Sequence, residues 1–262
     1  MTEKGNKQNK TYFFKYDLKR MFHGAGFYLA FMVSILILLR PLQGAFVEKM
    51  YGTFFQFLSA PLASSGFTPF AALFCVIPYA WSFCEDYNTG YIKDIISRIG
   101  IKRYSLQRCF VVMLSGGMLM AAVFLTVILV CVGLANLPET YESAAFLSRT
   151  IWAEMNLLFV GNGTVVAGLR VLLAFLFGSV WALFGLMISV FVVNRYITLI
   201  APFVVYQILW FFLEGNAFNP VYQLRGDSNY LPSLWFVLWY QLCLIIICIT
   251  ISCIGIRKRV EE

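Results

Sequence analysis

The sequence predicts an all-α polytopic membrane protein with six transmembrane helices, an N-terminal interfacial amphipathic helix and a short helix between spans 2 and 3. Of the 262 residues, 60% are hydrophobic and only 13% are charged, a composition far from that of soluble domains. The apolar residues also lie in long runs, and a helix needs roughly 20 apolar residues to cross the hydrocarbon core of a bilayer. We therefore treat residues 1–262 as a single transmembrane domain.

Each predicted span corresponds to one apolar run. The first run is short because Arg40 follows it, and interfacial residues before it extend it. It lacks a small-residue cleavage site, so we interpret it as a retained span and not as a secretory signal. The runs predict spans over residues 24–40, 67–84, 105–134, 165–193, 197–213 and 233–256.

The distribution of cations predicts the orientation of the spans, because lysine and arginine are enriched in cytoplasmic loops. With a cytoplasmic N-terminus, most of the 20 lysines and arginines fall on the inner side. We therefore expect a multi-pass protein of a bacterial plasma membrane with both termini in the cytoplasm. Nucleic-acid binding is not favoured, because the cations flank spans and form no single basic face. The outer cations are Arg40, Lys49, Arg149, Arg170 and Arg225.

The segment before the first span, residues 8–23, predicts a helix in the inner membrane interface. Its apolar face suits the acyl region, and its cations suit the anionic headgroups of membrane lipids. Two roles fit this helix: a simple anchor, or a connector that contacts a cytoplasmic partner and transmits its movement to the first span. The apolar face holds Phe14, Leu18, Met21 and Phe22, and the charged face holds Lys15, Asp17, Lys19 and Arg20.

A charged segment from Cys84 to Arg108 separates the second and third spans. Its middle, about residues 90–99, predicts a short amphipathic helix, because isoleucines recur at helical spacing. Asn88 or Thr89 is expected to cap the start of this helix, and Gly100 its end. The isoleucine face, expected to be buried, holds Ile92, Ile95, Ile96 and Ile99; the opposite face holds Lys93, Asp94, Ser97 and Arg98.

Small residues within the spans predict close helix packing. In lipid, close approach of backbones takes the place of a hydrophobic driving force between helices. We favour packing inside one bundle over a subunit interface. The longer stripe is Ala174, Gly178, Ala182, Gly185 and Ser189, and the shorter one is Gly117 with Ala121.

Arg170 is the cation placed deepest in a predicted span. An ion at that depth is by default a functional candidate. The alternative, which we favour, is that its side chain extends to the outer headgroups or pairs with an outer carboxylate such as Glu154. The span centres hold no carboxylate, which argues against a transporter driven by buried acids.

No catalytic, cofactor or metal site is predicted in this chain. Glu85 and Asp86 are adjacent carboxylates, but no His, Ser or Cys accompanies them in a catalytic pattern, and the single histidine is His23. The seven cysteines match no metal spacing and predict unpaired apolar packing. The chain also lacks the GxxxxGK[ST] loop, so ATP hydrolysis by that route would need another subunit.

The charged segment resembles the signature of ABC-2-type transporter permeases, a family of membrane subunits of ABC exporters. In that family an acidic residue closes the second span, a glycine follows, and an arginine-tyrosine pair precedes a basic residue at the start of the third. One departure is that Gly100 and Ile101 stand where a proline-containing turn is frequent. The matching residues are Phe83, Glu85, Gly90, Ser97, Arg98, Lys102, Arg103, Tyr104 and Arg108.

The resemblance implies that Tyr91 to Ile99 is a coupling helix, which docks on a separate ATPase subunit, and that residues 14–22 form the connector. It implies two ATPase subunits that bind ATP and Mg²⁺, and a second permease that is either another copy or a similar chain. Glu85 and Asp86 would anchor the segment, with Glu85 paired to Lys19, Arg20 or Arg103. The expected ATPase contacts are Tyr91, Lys93, Asp94, Ser97 and Arg98.

The function expected from this resemblance is export of a peptide or lipid-like substrate, as in the branch that expels antimicrobial peptides. The chain itself would not be an enzyme. The alternative function is a polytopic sensor or scaffold whose charged segment binds a cytoplasmic regulator.

Overall fold

The computed structural model describes residues 14–43, 54–135, 163–226, 228 and 230–261, and every regular element within these ranges is helical. Of the predicted N-terminal helix, residues 14–23 are helical, and residues 8–13 lie outside the described ranges. The helices are α1 (14–23), α2 (Ala25–Leu39), α3 (Phe54–Ser64), α4 (Phe67–Val76), α5 (Ser82–Asn88), α6 (Tyr91–Ile99), α7 (Ile101–Ala135), α8 (Gly163–Phe191), α9 (Arg195–Phe212), α10 (Pro220–Arg225) and α11 (Leu234–Glu261), with a 3₁₀ turn at Arg40–Leu42.

Five segments in the described part of the chain are long and apolar enough to cross a membrane. They correspond to the first, third, fourth, fifth and sixth predicted spans, with ends that differ by a few residues. These segments are Ala25–Leu42, Ile101–Leu134, Gly163–Phe191, Arg195–Phe212 and Leu234–Val260.

The second predicted span, residues 67–84, is not one continuous helix. The chain forms α4, then a turn over residues 77–81, and then α5. Pro78 lies in this turn, and proline has no backbone N–H to continue the helical ladder. Pro202 behaves differently, since it remains inside α9. Hydropathy alone had joined α4 and α5 into one run.

α8 lies at the centre of the bundle and packs most closely against α7. A Cβ atom added at Gly116 of α7 would lie 2.5 Å from the Gly178 carbonyl oxygen and 2.5 Å from the Ala182 Cβ atom. Across the same crossing, the Ser179 hydroxyl donates to the Met113 carbonyl at 3.2 Å. The small-residue stripe of α8 therefore packs inside the bundle, as the sequence favoured.

Packing elsewhere in the bundle follows the same principle. A Cβ atom at Gly185 of α8 would lie 2.9 Å from Val76 of α4.

Six of the seven cysteines are buried and Cys243 is exposed, and all seven are free thiols. Leu58 and Leu62 of α3 are buried in the same core as α7 and α8, so this short helix covers one end of the bundle.

We predict that Gly178→Val destabilises the protein by about 1–3 kcal/mol, because the added methyl groups collide with the backbone of α7. The matched control is Gly168→Val on the same helix, where an added Cβ atom meets nothing within 4 Å. The control should change stability by no more than about 0.5 kcal/mol. Thermal unfolding of the purified variants in detergent measures both, and equal losses would refute the close crossing.

Candidate functional site

Three elements converge at one end of the bundle: α1, α5 and the start of α7. They bring together five ionisable side chains, which we call the ion cluster. Two of these side chains are arginines and three are carboxylates. The cluster consists of Asp17 and Arg20 from α1, Glu85 and Asp86 from α5, and Arg108 from α7.

Arg108 is the centre of the ion cluster, and its side chain is completely buried. Its Nη1 lies 3.2 Å from Asp17 Oδ1, and its Nη2 donates to Asp86 Oδ2. Both carboxylates are also buried, at 2% and 1% exposure. A buried guanidinium is stable only when charged and hydrogen-bonding partners replace its water. Arg108 thus fixes the relative positions of three helices.

Three hydroxyl groups also accept hydrogen bonds from Arg108. Its Nη1 donates to the Tyr79 hydroxyl at 3.1 Å and to the Ser82 hydroxyl at 3.1 Å, and its Nη2 to the Tyr104 hydroxyl at 3.3 Å. The Tyr79 hydroxyl in turn donates to Asp17. Helical spacing of four places Tyr104 beneath Arg108 on α7. Its ring centre lies 5.3 Å from the guanidinium carbon, within the range of a cation–π contact.

Arg20 is the second cation of the cluster and joins α1 to both adjacent carboxylates. Its Nη1 lies 2.6 Å from Asp86 Oδ1 and its Nη2 lies 2.5 Å from Glu85 Oε2. Burial alone would lower the pKa of Arg20, but the hydrogen bond and charge of Asp86 outweigh burial and raise the pKa above its usual value. Asp86 thereby bridges two arginines, one through each oxygen.

The two adjacent carboxylates differ in their surroundings. The Asp86 side chain is 1% exposed, whereas the Glu85 side chain is 45% exposed. An exposed ion pair contributes little to stability because water and salt screen it. Removing one partner of a buried pair is costly, because the other charge stays buried without compensation. Asp86 is therefore the structural carboxylate, and Glu85 lies at the surface beside it.

α6 follows the ion cluster directly and has two distinct faces. Ile92 and Ile95 are 3% and 4% exposed, and Ile96 and Ile99 are partly buried beside them. α6 therefore runs from Tyr91 to Ile99 with its isoleucine face toward the bundle. The opposite face is open to solvent: Tyr91, Lys93, Asp94, Ser97 and Arg98 are all exposed.

A glycine lies at each end of α6. Gly90 precedes the helix at φ 74° and Gly100 follows it at φ 80°, and left-handed backbone of this kind is readily adopted only by glycine. The expected end at Gly100 is confirmed. The expected cap by Asn88 or Thr89 is wrong, because the Thr89 hydroxyl instead donates back to the Glu85 carbonyl at 2.8 Å and closes α5.

Only one of the three expected partners of Glu85 forms an ion pair with it in the described part of the chain. Of Lys19, Arg20 and Arg103, it is Arg20 that pairs with Glu85. Lys19 and Arg103 are exposed, and neither forms an ion pair within the described ranges. The sequence placed Arg108 in the family signature but gave it no role as an anchor.

The sequence also placed Asp17 on the wrong face of α1. The prediction grouped it with the exposed cations, whereas it is buried on the same side as Met21, four residues later. The apolar face of α1 packs on the bundle itself, since the rings of Phe14 and Phe110 lie 6.0 Å apart. Arg108, just inside an apolar run, was the signal that a carboxylate partner was needed.

Arg170 lies in a second polar contact, on α8. It is 1% exposed, so the prediction that it extends to the headgroups is wrong. Its Nη2 donates to the carbonyl of Leu224 and, at 3.3 Å, to that of Arg225 at the end of α10. The Phe124 ring centre lies 4.8 Å from its guanidinium carbon. Glu154, its other expected partner, lies outside the described residues.

Comparisons with protein-family models, curated proteins and solved structures find no match to this chain. Its relation to ABC-2-type permeases therefore remains a resemblance of the charged segment.

We predict that Arg108→Met destabilises the protein by about 3–5 kcal/mol, because it leaves Asp17 and Asp86 buried without their common cation. Arg103→Met, five residues earlier on an exposed position, is the control and should change stability by no more than about 0.5 kcal/mol. Thermal unfolding in detergent compares the two variants. A small effect of Arg108→Met would show that the buried charges are not coupled.

We also predict unequal effects of neutralising the two adjacent carboxylates. Asp86→Asn should cost about 3 kcal/mol or more because it breaks buried pairs with two arginines, whereas Glu85→Gln should cost about 1 kcal/mol at most. Because the Glu85 pair is exposed, its contribution should shrink further at high salt. Unfolding measured at low and high ionic strength tests this, and equal losses for the two variants would contradict the burial difference.

Proposed function

We propose that this chain is the permease subunit of an ABC transporter that exports a peptide or lipid-like substrate. The observation that carries the proposal is the position of the ion cluster. It ties α1 to α5 and α7, and these two helices directly precede and follow α6 in the chain. One face of α6 is exposed to solvent. A force applied to α6 would thus reach the N-terminal helix through Arg20, Asp86 and Arg108.

The proposed topology has six crossings, with α4 and α5 together forming a broken second one. Broken helices are tolerated at membrane depth where protein surrounds them, and most of α4 and α5 is buried. Arg259, near the end of α11, lies over the Tyr87 ring of α5 at 6.0 Å. α1 also contacts α5, through Arg20, so the N-terminal helix and the end of α11 lie at the same end of the bundle, which supports an even number of crossings.

This shared end is proposed to face the cytoplasm of a bacterial cell. The described cations are concentrated there on α1, α6, the start of α7 and the end of α11, as the positive-inside rule requires. In this orientation the exposed face of α6 points toward a cytoplasmic partner.

The proposed partner is an ABC ATPase. Two such subunits would bind and hydrolyse ATP with Mg²⁺, and this chain would supply no catalytic group. Lys93, Asp94 and Arg98 offer charges of both signs on one exposed helical face, which suits a groove of mixed charge and sets the register of docking. A second permease, another copy or a similar chain, would complete the transport pathway.

We predict that the double charge reversal Asp94→Arg and Arg98→Asp abolishes co-purification of an ATPase with the tagged chain from its native host. Lys258→Glu, at an exposed position near the end of α11, is the control and should leave the complex intact. Both variants should fold normally, because the changed side chains are exposed.

An intact complex in the double reversal would refute the docking role of α6. Recovery of a regulator in place of any ATPase would instead favour the alternative function, a membrane sensor or scaffold. Export of the substrate should also fall in Arg20→Met even when the ATPase still binds, since that variant removes both ion pairs between α1 and α5 and leaves the α6 face unchanged.

A further inference from the structure

A cavity of about 140 Å³ lies between α8, α9, α10 and α11, and it shares no lining residue with the ion cluster. Its walls are mainly aromatic and aliphatic. Phe218, at 44% exposure, marks the side on which the cavity approaches the surface. Aromatic lining residues include Phe177, Trp181, Phe184 and Tyr240.

Two glutamine side chains interrupt this apolar wall. Gln241 of α11 is 1% exposed, and neither atom of its amide group has a hydrogen-bond partner among the residues that the structure describes. Gln223 of α10 is 4% exposed, and its Nε2 makes one long contact of 3.4 Å with the Ala217 carbonyl. Both line the cavity.

A buried amide without partners is unfavourable, because it loses its bonds to water and gains none in return. Another glutamine in the same bundle shows the usual arrangement. Gln207 of α9 donates its Nε2 to the Pro69 carbonyl at 2.7 Å. Gln241 therefore differs from Gln207 in presenting one donor and one acceptor to an otherwise apolar space.

We propose that this cavity is a binding site for an apolar group of the size of one aromatic ring that carries an amide. A cavity of about 150 Å³ is large enough for benzene, so the volume suits a single ring. An amide offers a donor and an acceptor side by side, which matches the two free positions of the Gln241 side chain. The aromatic wall holds the ring, and Gln241 selects for the amide. The proposal does not depend on an ATPase partner.

Benzamide and toluene are the probes, because they share a ring and differ in the amide. The purified full chain in lipid nanodiscs is titrated with each, and the midpoint of thermal unfolding is followed. We expect benzamide to raise the midpoint saturably, at a concentration at least tenfold lower than toluene requires. In Gln241→Leu the advantage of benzamide over toluene should disappear. Gln207→Leu, whose amide lies outside the cavity lining, should retain it.

A second variant keeps the test independent of how well Gln241→Leu folds. Cys248→Phe places a ring in the cavity and should abolish the response to both probes. The proposal is overturned if benzamide gives no saturable shift, as expected when water alone occupies the cavity and bonds to Gln241. It is also overturned if benzamide and toluene act equally on the unchanged protein, or if Gln241→Leu and Cys248→Phe leave the benzamide response intact.

Discussion

The burial of one guanidinium, that of Arg108, is the constraint on which the charged end of this protein depends. A cation without water must be surrounded by carboxylates and hydroxyls, and no single helix can supply them. The chain meets this need by bringing Asp17 from α1 and Asp86 from α5 to α7. The solvation of Arg108 thus helps to fix the position of the N-terminal helix, together with the apolar contacts of Met21 and Phe14.

The bundle uses a different interaction in each of its regions. At the middle, Gly116 and Gly178 allow two backbones to touch, which is the type of contact that holds helices together in lipid. At the charged end, ion pairs join the helices. At the other polar contact, Arg170 binds carbonyl groups at the end of α10, where the helix dipole and unsatisfied carbonyls attract a cation. Two buried arginines thus join different elements: Arg108 joins α7 to α1 and α5, and Arg170 joins α8 to α10.

The sequence predicted those features that depend on local pattern. The isoleucine spacing predicted α6 within one residue, and hydropathy located five of the predicted spans. Both signals are local, because the apolar residues that one helix buries lie close together in the sequence. Three other features are not determined by local pattern. The break at Pro78 is invisible to hydropathy, and the buried face of Asp17 depends on a partner 91 residues away. Arg103 and Arg108 look alike in a basic segment, and only the packing of α1 and α5 against α7 decides which of them is buried.

The length of α7 explains how a cluster of buried ions is compatible with a membrane protein. This helix runs from Ile101 to Ala135, and the part that follows Arg108 is about 40 Å long at 1.5 Å per residue. The hydrocarbon core is about 30 Å thick, so that part alone suffices to cross it. If that part crosses the membrane, the first turns of α7 would extend beyond the acyl chains. Protein shields Arg108, Asp17 and Asp86 from water on these turns, and the level of the lipid headgroups would tolerate their charge.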